Sequence, residues 1–279
     1  MEFSRFLPAA ELSSLIHGYW FLETGEQGEQ LALVPDGYPE LLFVRRNKIG
    51  YRLHENTPWQ IFRGAGILGQ LGGTFQTCLP PNSEVLLVKF HPWAIYQFLG
   101  VPMHLLNNTI TSLGALSLSP RWKQLSRQIL TTESRRACRS ILNQFFLQQQ
   151  GFLHDSSPVL YLSIHNIFRH HGTIGLDQLS GQINVSNRYF QRLFKDQVGI
   201  SPKHYCRMIR VKRASIQMLN TTKVPLVQIA AQLNYFDQSH FLKDFKSIVG
   251  QSPSSFLRAE TGFTEQDLEI YLDQWSYAH

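Results

Sequence analysis

The octapeptide VGISPKHY at residues 198–205 returns at 249–256 as VGQSPSSF. The likeness extends well beyond eight residues. Leu176, Leu179, Ile183 and Asn184 match Leu226, Ile229, Leu233 and Asn234 at an offset of 50. Phe190, Phe194, Gly199 and Pro202 match Phe241, Phe245, Gly250 and Pro253 at an offset of 51, so the second copy carries one inserted residue. A chain that repeats a pattern of this length builds one supersecondary unit twice.

Each copy reads as a short helix, a tight break and a second helix. In the first, Leu176, Leu179 and Ile183 mark one apolar face. Ser186 is placed to cap the next helix, whose inner face carries Phe190, Leu193 and Phe194. Gly199 is placed to end it, and Ser201 with Pro202 opens a third helix. In the second copy Asp237 takes the cap, Phe241 and Phe245 the inner face, and Gly250 the stop. Helix, short turn, helix is the outline of a helix-turn-helix, and also of a helical hairpin that only packs.

The outward residues favour the former. Asn187, Arg188, Gln191, Arg192 and Lys195 lie off the first apolar face, and Gln238, Ser239, His240, Lys243 and Lys246 off the second. Arg and Gln can reach guanine and adenine edges bidentately in the major groove, and Lys suits phosphate. The segment 201–220 between the units, read as one helix, spans about 30 Å. That is close to the roughly 34 Å between major-groove openings on one face of B-DNA. Its Arg207, Arg210, Lys212 and Arg213 read either as phosphate-neutralising charge or as a solvated face. Charge is distributed to match: residues 158–258 carry 13 Lys and Arg against 4 acids, within a chain of net charge +6. A one-signed block of this size points to a polyanion partner, double-stranded DNA first.

Together these segments resemble the AraC/XylS family of bacterial transcription regulators. The resemblance covers about 100 residues and rests on SNRYFQRLFKDQVGISPKHYCRMIRVKRASIQML followed by IAAQLNYFDQSHFLKDFKSIVGQSPSSFLR. It implies base reading by Arg188, Gln191, Arg192 and Lys195 in the first unit, and by Gln238, Ser239, His240 and Lys243 in the second. Asn234 stands where many members have Gly; Asn also tolerates the left-handed backbone such a turn needs. Leu242 stands where some relatives are polar, and offers a thymine methyl contact or none.

The first 90 or so residues read differently. GYWFLE, ELLFV, IGYRL, WQIF and EVLLVKF are short, aromatic and branched, with Gly and Pro signals between them. They predict an antiparallel barrel or sandwich. HPWAIYQFLG then predicts a helix, and residues 119–150 have helical spacing. LVPDGYPELLF at 33–43 gives this half the look of the cupin-type sensory domain fused to some such regulators, although Pro35, Asp36 and Gly37 also serve simply as a turn. The aromatics Trp20, Tyr38, Phe43, Trp59, Phe75, Phe90 and Trp93 could line an apolar pocket or fill the core.

The expected fold class is therefore two-domain α+β: an N-terminal antiparallel, cupin-like β barrel or sandwich with helices, then an all-α tandem helix-turn-helix. The expected divisions are a β-rich regulatory part at 1–112, a helical connector at 113–157, a DNA-binding part at 158–258 and an acidic tail at 259–279. The expected function is sequence-specific regulation of transcription, modulated by a small-molecule effector or partner. RNA polymerase and a second copy of the chain are further candidate partners. The alternative is a barrel enzyme with an accessory DNA-binding module. Against it, His17, His54, His91 and His104 are dispersed, and no GxSxG, HExxH or phosphate-binding loop is present. No cofactor, metal or catalytic residue is expected. Cys78, Cys138 and Cys206 are too scattered for a zinc site or disulfide framework. With no apolar run of membrane length and no leader pattern, a cytoplasmic protein is expected.

Overall fold

A computed structural model describes residues 1–53, 57–155, 157–220 and 225–259. The tail beyond Ala259 and His54 lie outside the described residues. Among the described residues eight strands form one antiparallel sheet: β1 (Glu2–Phe6), β2 (Ile16–Glu23), β3 (Glu29–Leu33), β4 (Glu40–Arg52), β5 (Gln60–Leu68), β6 (Phe75–Leu79), β7 (Glu84–Phe90) and β8 (Ile110–Ser112). The main path runs β1-β2-β7-β4-β5-β8, and β3 joins through β6. ELLFV and IGYRL, read separately from sequence, are one 13-residue strand, β4. An irregularity between Val44 and Ile49 divides it. Before this bulge β4 pairs with β7; beyond it, Gly50, Tyr51 and Arg52 pair with β6. The extra residues bend the strand and let one sheet turn onto itself.

Both faces of the sheet are covered, and alternation assigns each side chain. Tyr19 and Phe21 of β2, with Leu41 and Phe43 of β4, face one core. Trp20, Leu22, Leu42 and Val44 face another, with Phe75 and Ile110. The helices α1 (Ile95–Leu99), α2 (Pro120–Thr131) and α3 (Arg135–Gln149) supply the first core. Trp122, Leu125 and Ile129 of α2 and Leu142, Phe145 and Phe146 of α3 are buried there against the sheet. Gly100 ends α1 at φ 63°, as its sequence position predicts. Trp20, Phe43, Phe75 and Phe90 belong to these cores rather than to an open pocket; Trp59 lies at the surface.

Seven helices complete the described chain: α4 (Pro158–Arg169), α5 (Leu176–Gln182), α6 (Asn187–Gln197), α7 (Pro202–Asn220), α8 (Leu226–Gln232), α9 (Gln238–Val249) and α10 (Pro253–Ala259). They share a single core. Phe190 and Phe194 of α6 meet edge-to-face, as do Phe241 and Phe245 of α9, and both pairs are fully buried. Between them runs α7, whose Met208, Ile209, Val211 and Ala214 are fully buried. The joining helix is therefore the centre of the helical part, not an outrigger.

Candidate nucleic-acid interface

The repeat produces two equivalent turns. Asn184 and Asn234 both adopt the left-handed conformation, at φ 52° and 55°. Their short polar side chains make that backbone less costly than a branched residue would. Ser186 Oγ then accepts the Tyr189 N–H at 3.3 Å, and Asp237 Oδ1 accepts the His240 N–H at 2.7 Å. These caps start α6 and α9 where the sequence predicts. Gly250, at φ 80°, closes α9.

Opposite the buried phenylalanines, each second helix presents a polar row. Asn187, Arg188, Gln191, Arg192 and Lys195 on α6 are all exposed, as are Gln238, Ser239, His240, Lys243 and Lys246 on α9. Some are braced. Asn187 Nδ2 donates to Asp177 Oδ1 at 2.7 Å, and the Arg192 guanidinium lies 5.9 Å from the Tyr189 ring centre. Leu242 is half-buried and packs against the helical core.

The spacer cations require a correction. None of Arg207, Arg210 and Lys212 sits on a solvated face. Arg207 Nη2 pairs with Asp244 Oδ1 of α9 at 2.8 Å, and its Nε donates to the same oxygen at 3.0 Å. Arg210 lies over the Tyr235 ring at 4.6 Å. Lys212 is only 2% exposed. Because this part of α7 is surrounded, these three long cationic side chains find partners within the protein.

Lys212 meets the N-terminal half. Its Nζ donates to the Asp36 carbonyl at 3.4 Å and lies 5.3 Å from the Tyr38 ring centre. The sequence VPDG at 34–37 thus forms both a turn and a contact. Asp36 Oδ1 accepts the Tyr38 N–H at 3.0 Å, while Oδ2 pairs with Lys89 at 2.5 Å. Glu40 also approaches Lys89, at 3.3 Å. Burial opposes ionisation of Asp36, but Lys89 and Lys212 outweigh it and hold the carboxyl below its usual range. Gly37 is at φ 87°, and a Cβ there would lie 2.7 Å from the Tyr205 hydroxyl, so this turn seats α7 closely.

Other contacts between the halves reach the C-terminal ends of both reading helices. Asn107 Nδ2 donates to Gly199 O at 2.6 Å, and His104 Nδ1 lies 3.4 Å from Asp196. Thr74 Oγ1 donates to Ile248 O at 3.3 Å. These contacts lie away from the N-terminal turns of α6 and α9.

Two histidines dispersed in sequence are neighbours in space: the His17 and His91 rings are 5.7 Å apart. Burial, aided by nearby cations, pulls His17 down to about 2, and burial pulls His91 to about 4. Among the described residues no group of three or more His, Cys, Asp or Glu could hold a metal ion, and no helix is long and apolar enough to cross a membrane.

Two capped helices, each following a tight turn and set on one shared core beside an antiparallel sheet, define a tandem helix-turn-helix protein. Residues 179–259 match a helix-turn-helix domain, and residues 4–112 match a domain of unknown function, DUF6597. The F1 operon positive regulatory protein of Yersinia pestis is 35% identical over 83 residues, 30% of this chain and 27% of that protein. The transcriptional activator AarP of Providencia stuartii is 29% identical over 92 residues, 33% of this chain and 67% of that protein. The C-terminal domain of AraT, a response regulator from Geobacillus stearothermophilus, is 30% identical, with 38% of this chain and 88% of that chain covered at a TM-score of 0.36. The segment 179–259 thus carries a helix-turn-helix domain of the AraC type, and the curated relatives that match it are named as regulators of transcription. The chain spans less than a third of the length of the first-named relative.

Proposed function

We propose that the chain is a sequence-specific regulator of transcription that reads two adjacent major-groove segments, one with α6 and one with α9. The observation that carries this reading is the pairing of equivalents: each helix has its own cap, its own buried Phe pair and its own exposed row of Arg, Gln, His or Lys. Base contacts are assigned to Arg188, Gln191, Arg192, Gln238, Ser239 and His240. Lys195 and Lys243, base readers by the resemblance, are assigned chiefly to phosphate because Lys offers a point charge rather than a bidentate pair, and Asn187 and Lys246 serve phosphate or the groove edge. The working division places regulation in 1–112, a helical connector in 113–157 and DNA binding in 158–258.

The N-terminal half is assigned a controlling role, as receiver of a small-molecule effector or a protein partner. Its contacts with Gly199, Ile248 and Lys212 support this, because they give it a hold on both units and on the helix between them. Contact with RNA polymerase and self-association belong to the same reading, as does residence in the cytoplasm. The activity is binding rather than catalysis.

Selection of duplexes from a random pool with the full chain, followed by footprinting, tests the proposal. Two protected major-groove segments about one helical turn apart are expected. A folded chain that selects no sequence at low salt would refute it.

A further inference from the structure

We propose that Phe236 is a specificity-determining residue of the second unit, seated against the C5-methyl of a thymine in the major groove. This rests on the DNA-binding reading above and extends it to a residue outside the two polar rows.

The position of Phe236 emerges when the two turns are compared atom by atom. The left-handed Asn184 and Asn234 are 50 residues apart. So are the next residues, Val185 and Tyr235, whose N–H groups close onto Ser180 O at 3.2 Å and Ala230 O at 3.0 Å. The helix caps Ser186 and Asp237 are 51 apart. The one inserted residue of the second copy is therefore Phe236. The first unit closes its turn and caps its helix without a counterpart, so turn geometry does not require this residue.

Core packing does not require it either. Phe236 is 95% exposed, while Tyr235 beside it is 6% exposed and Phe241 is fully buried. Single apolar residues at a surface are ordinary, but nearly complete exposure of a phenyl ring directly before a recognition helix is a narrower case. The N-terminal turn of such a helix approaches the base edges. Phe236 immediately precedes the cap Asp237 and lies two residues before Gln238, the first residue of α9, which puts it at the end of the helix that makes this approach. There the major groove offers one apolar group, the thymine methyl. Leu242, the other apolar candidate for this role, is engaged with the core. The ring thus has the exposure and the location for an apolar contact that neither polar row supplies.

The test uses the full chain and a duplex chosen by selection from a random pool. Each thymine in the segment protected by the second unit is replaced in turn by deoxyuridine, which lacks only the methyl. Burial of one such group changes affinity about four-fold. One replacement should weaken the parent by about that factor. Phe236→Ala should bind the thymine duplex correspondingly less well and be indifferent to the replacement, while Phe236→Leu should stay sensitive to it. Because the side chain is exposed, all three should melt alike, which separates binding from folding. The proposal is overturned if Phe236→Ala binds as the parent does, or keeps its sensitivity to the methyl, while Gln191→Ala is weakened. The DNA-binding reading would then survive, and Phe236 would be left facing a protein such as RNA polymerase. A parent chain that selects no duplex overturns both readings together.

Discussion

Lys212, midway along α7, donates to the backbone carbonyl of Asp36, with Nζ and O 3.4 Å apart. A lysine of the DNA-binding half is thereby buried against a turn of the sheet domain. Burial lowers its ammonium to about 7, with attraction from Asp36 opposing and Lys89 assisting. Asp36, Glu40, Lys89, Tyr38, His17 and Tyr205 are charged or titratable groups gathered around this contact.

The sign of the pH effect follows. The folded value lies below the ordinary 10.5, so the unfolded chain binds the proton more tightly. The contribution of Lys212 is complete above about 10.5 and is lost as pH falls toward 7. Lys212→Met removes the group that the unfolded chain protonates more readily, so the variant should gain on its parent as pH falls from 10 toward 7. It should thus flatten the rise between pH 7 and 10. Denaturant unfolding of parent and variant at both ends of that window measures the difference, and a variant that gains nothing on its parent between pH 10 and 7 would refute the sign.

Asp244 is the anchor of the second reading helix. It is buried, accepts a hydrogen bond from Arg207 Nε of α7 and forms an ion pair with the same guanidinium. Asp244→Ala should cost about 2 kcal/mol, the scale of hydrogen bonds to a charged group. The loss should concentrate in the second unit. Hydrogen exchange should therefore accelerate in α9 more than in α6, whereas equal acceleration in both would mean that the pair stabilises the whole helical core.

Gln191→Ala and Arg192→Ala should each relax base preference at one position, at about 1–3 kcal/mol. Lys195→Ala and Lys246→Ala should instead weaken all sequences alike and lower the salt slope by about 0.9 for each phosphate left without its lysine. Binding to randomised duplexes at several salt concentrations distinguishes the two patterns. Uniform weakening by Gln191→Ala would remove it from the base-reading set.

Insertion of one Ala after Ile209 would turn the rest of α7 by about 100°. Val211, Ala214, Ser215 and Met218, all buried, would leave the core together. The expected result is a footprint reduced to the first unit, with early proteolysis in the second. Insertion of four Ala nearly restores phase but adds about 6 Å, so it should not restore the second footprint. A single-insertion chain protecting both segments at full affinity would show that α7 does not set their relation.

The legible parts of this fold were those governed by local rules repeated at fixed spacing. Ser186, Asp237, Asn234 and Gly250 announce their caps and turns, and the paired Phe residues announce both inner faces. The polar rows follow from that phase. The partners of Arg207, Arg210 and Lys212 were not legible, because a cation on a helix reveals its charge but not what a distant segment of the chain places beside it. The bulge that joins two predicted strands into β4 was hidden for a similar reason: RRNK at 45–48 looks like a loop until strands on both sides hold it. Phe236 did leave a signal. The offset changes from 50 to 51 across it, yet only its exposure distinguishes an inserted reading residue from a harmless extra one.

The sheet domain bonds to Gly199 beyond α6 and to Ile248 within the last turn of α9, at the rear of both reading heads. On the proposed reading it would be the frame of a caliper whose jaws are the two helices. Loosening the frame need not blunt either jaw. Its consequence is a change in the gap the jaws accept, so regulation through this domain would be read as altered tolerance for the spacing between half-sites, with the preferred bases inside each half unchanged.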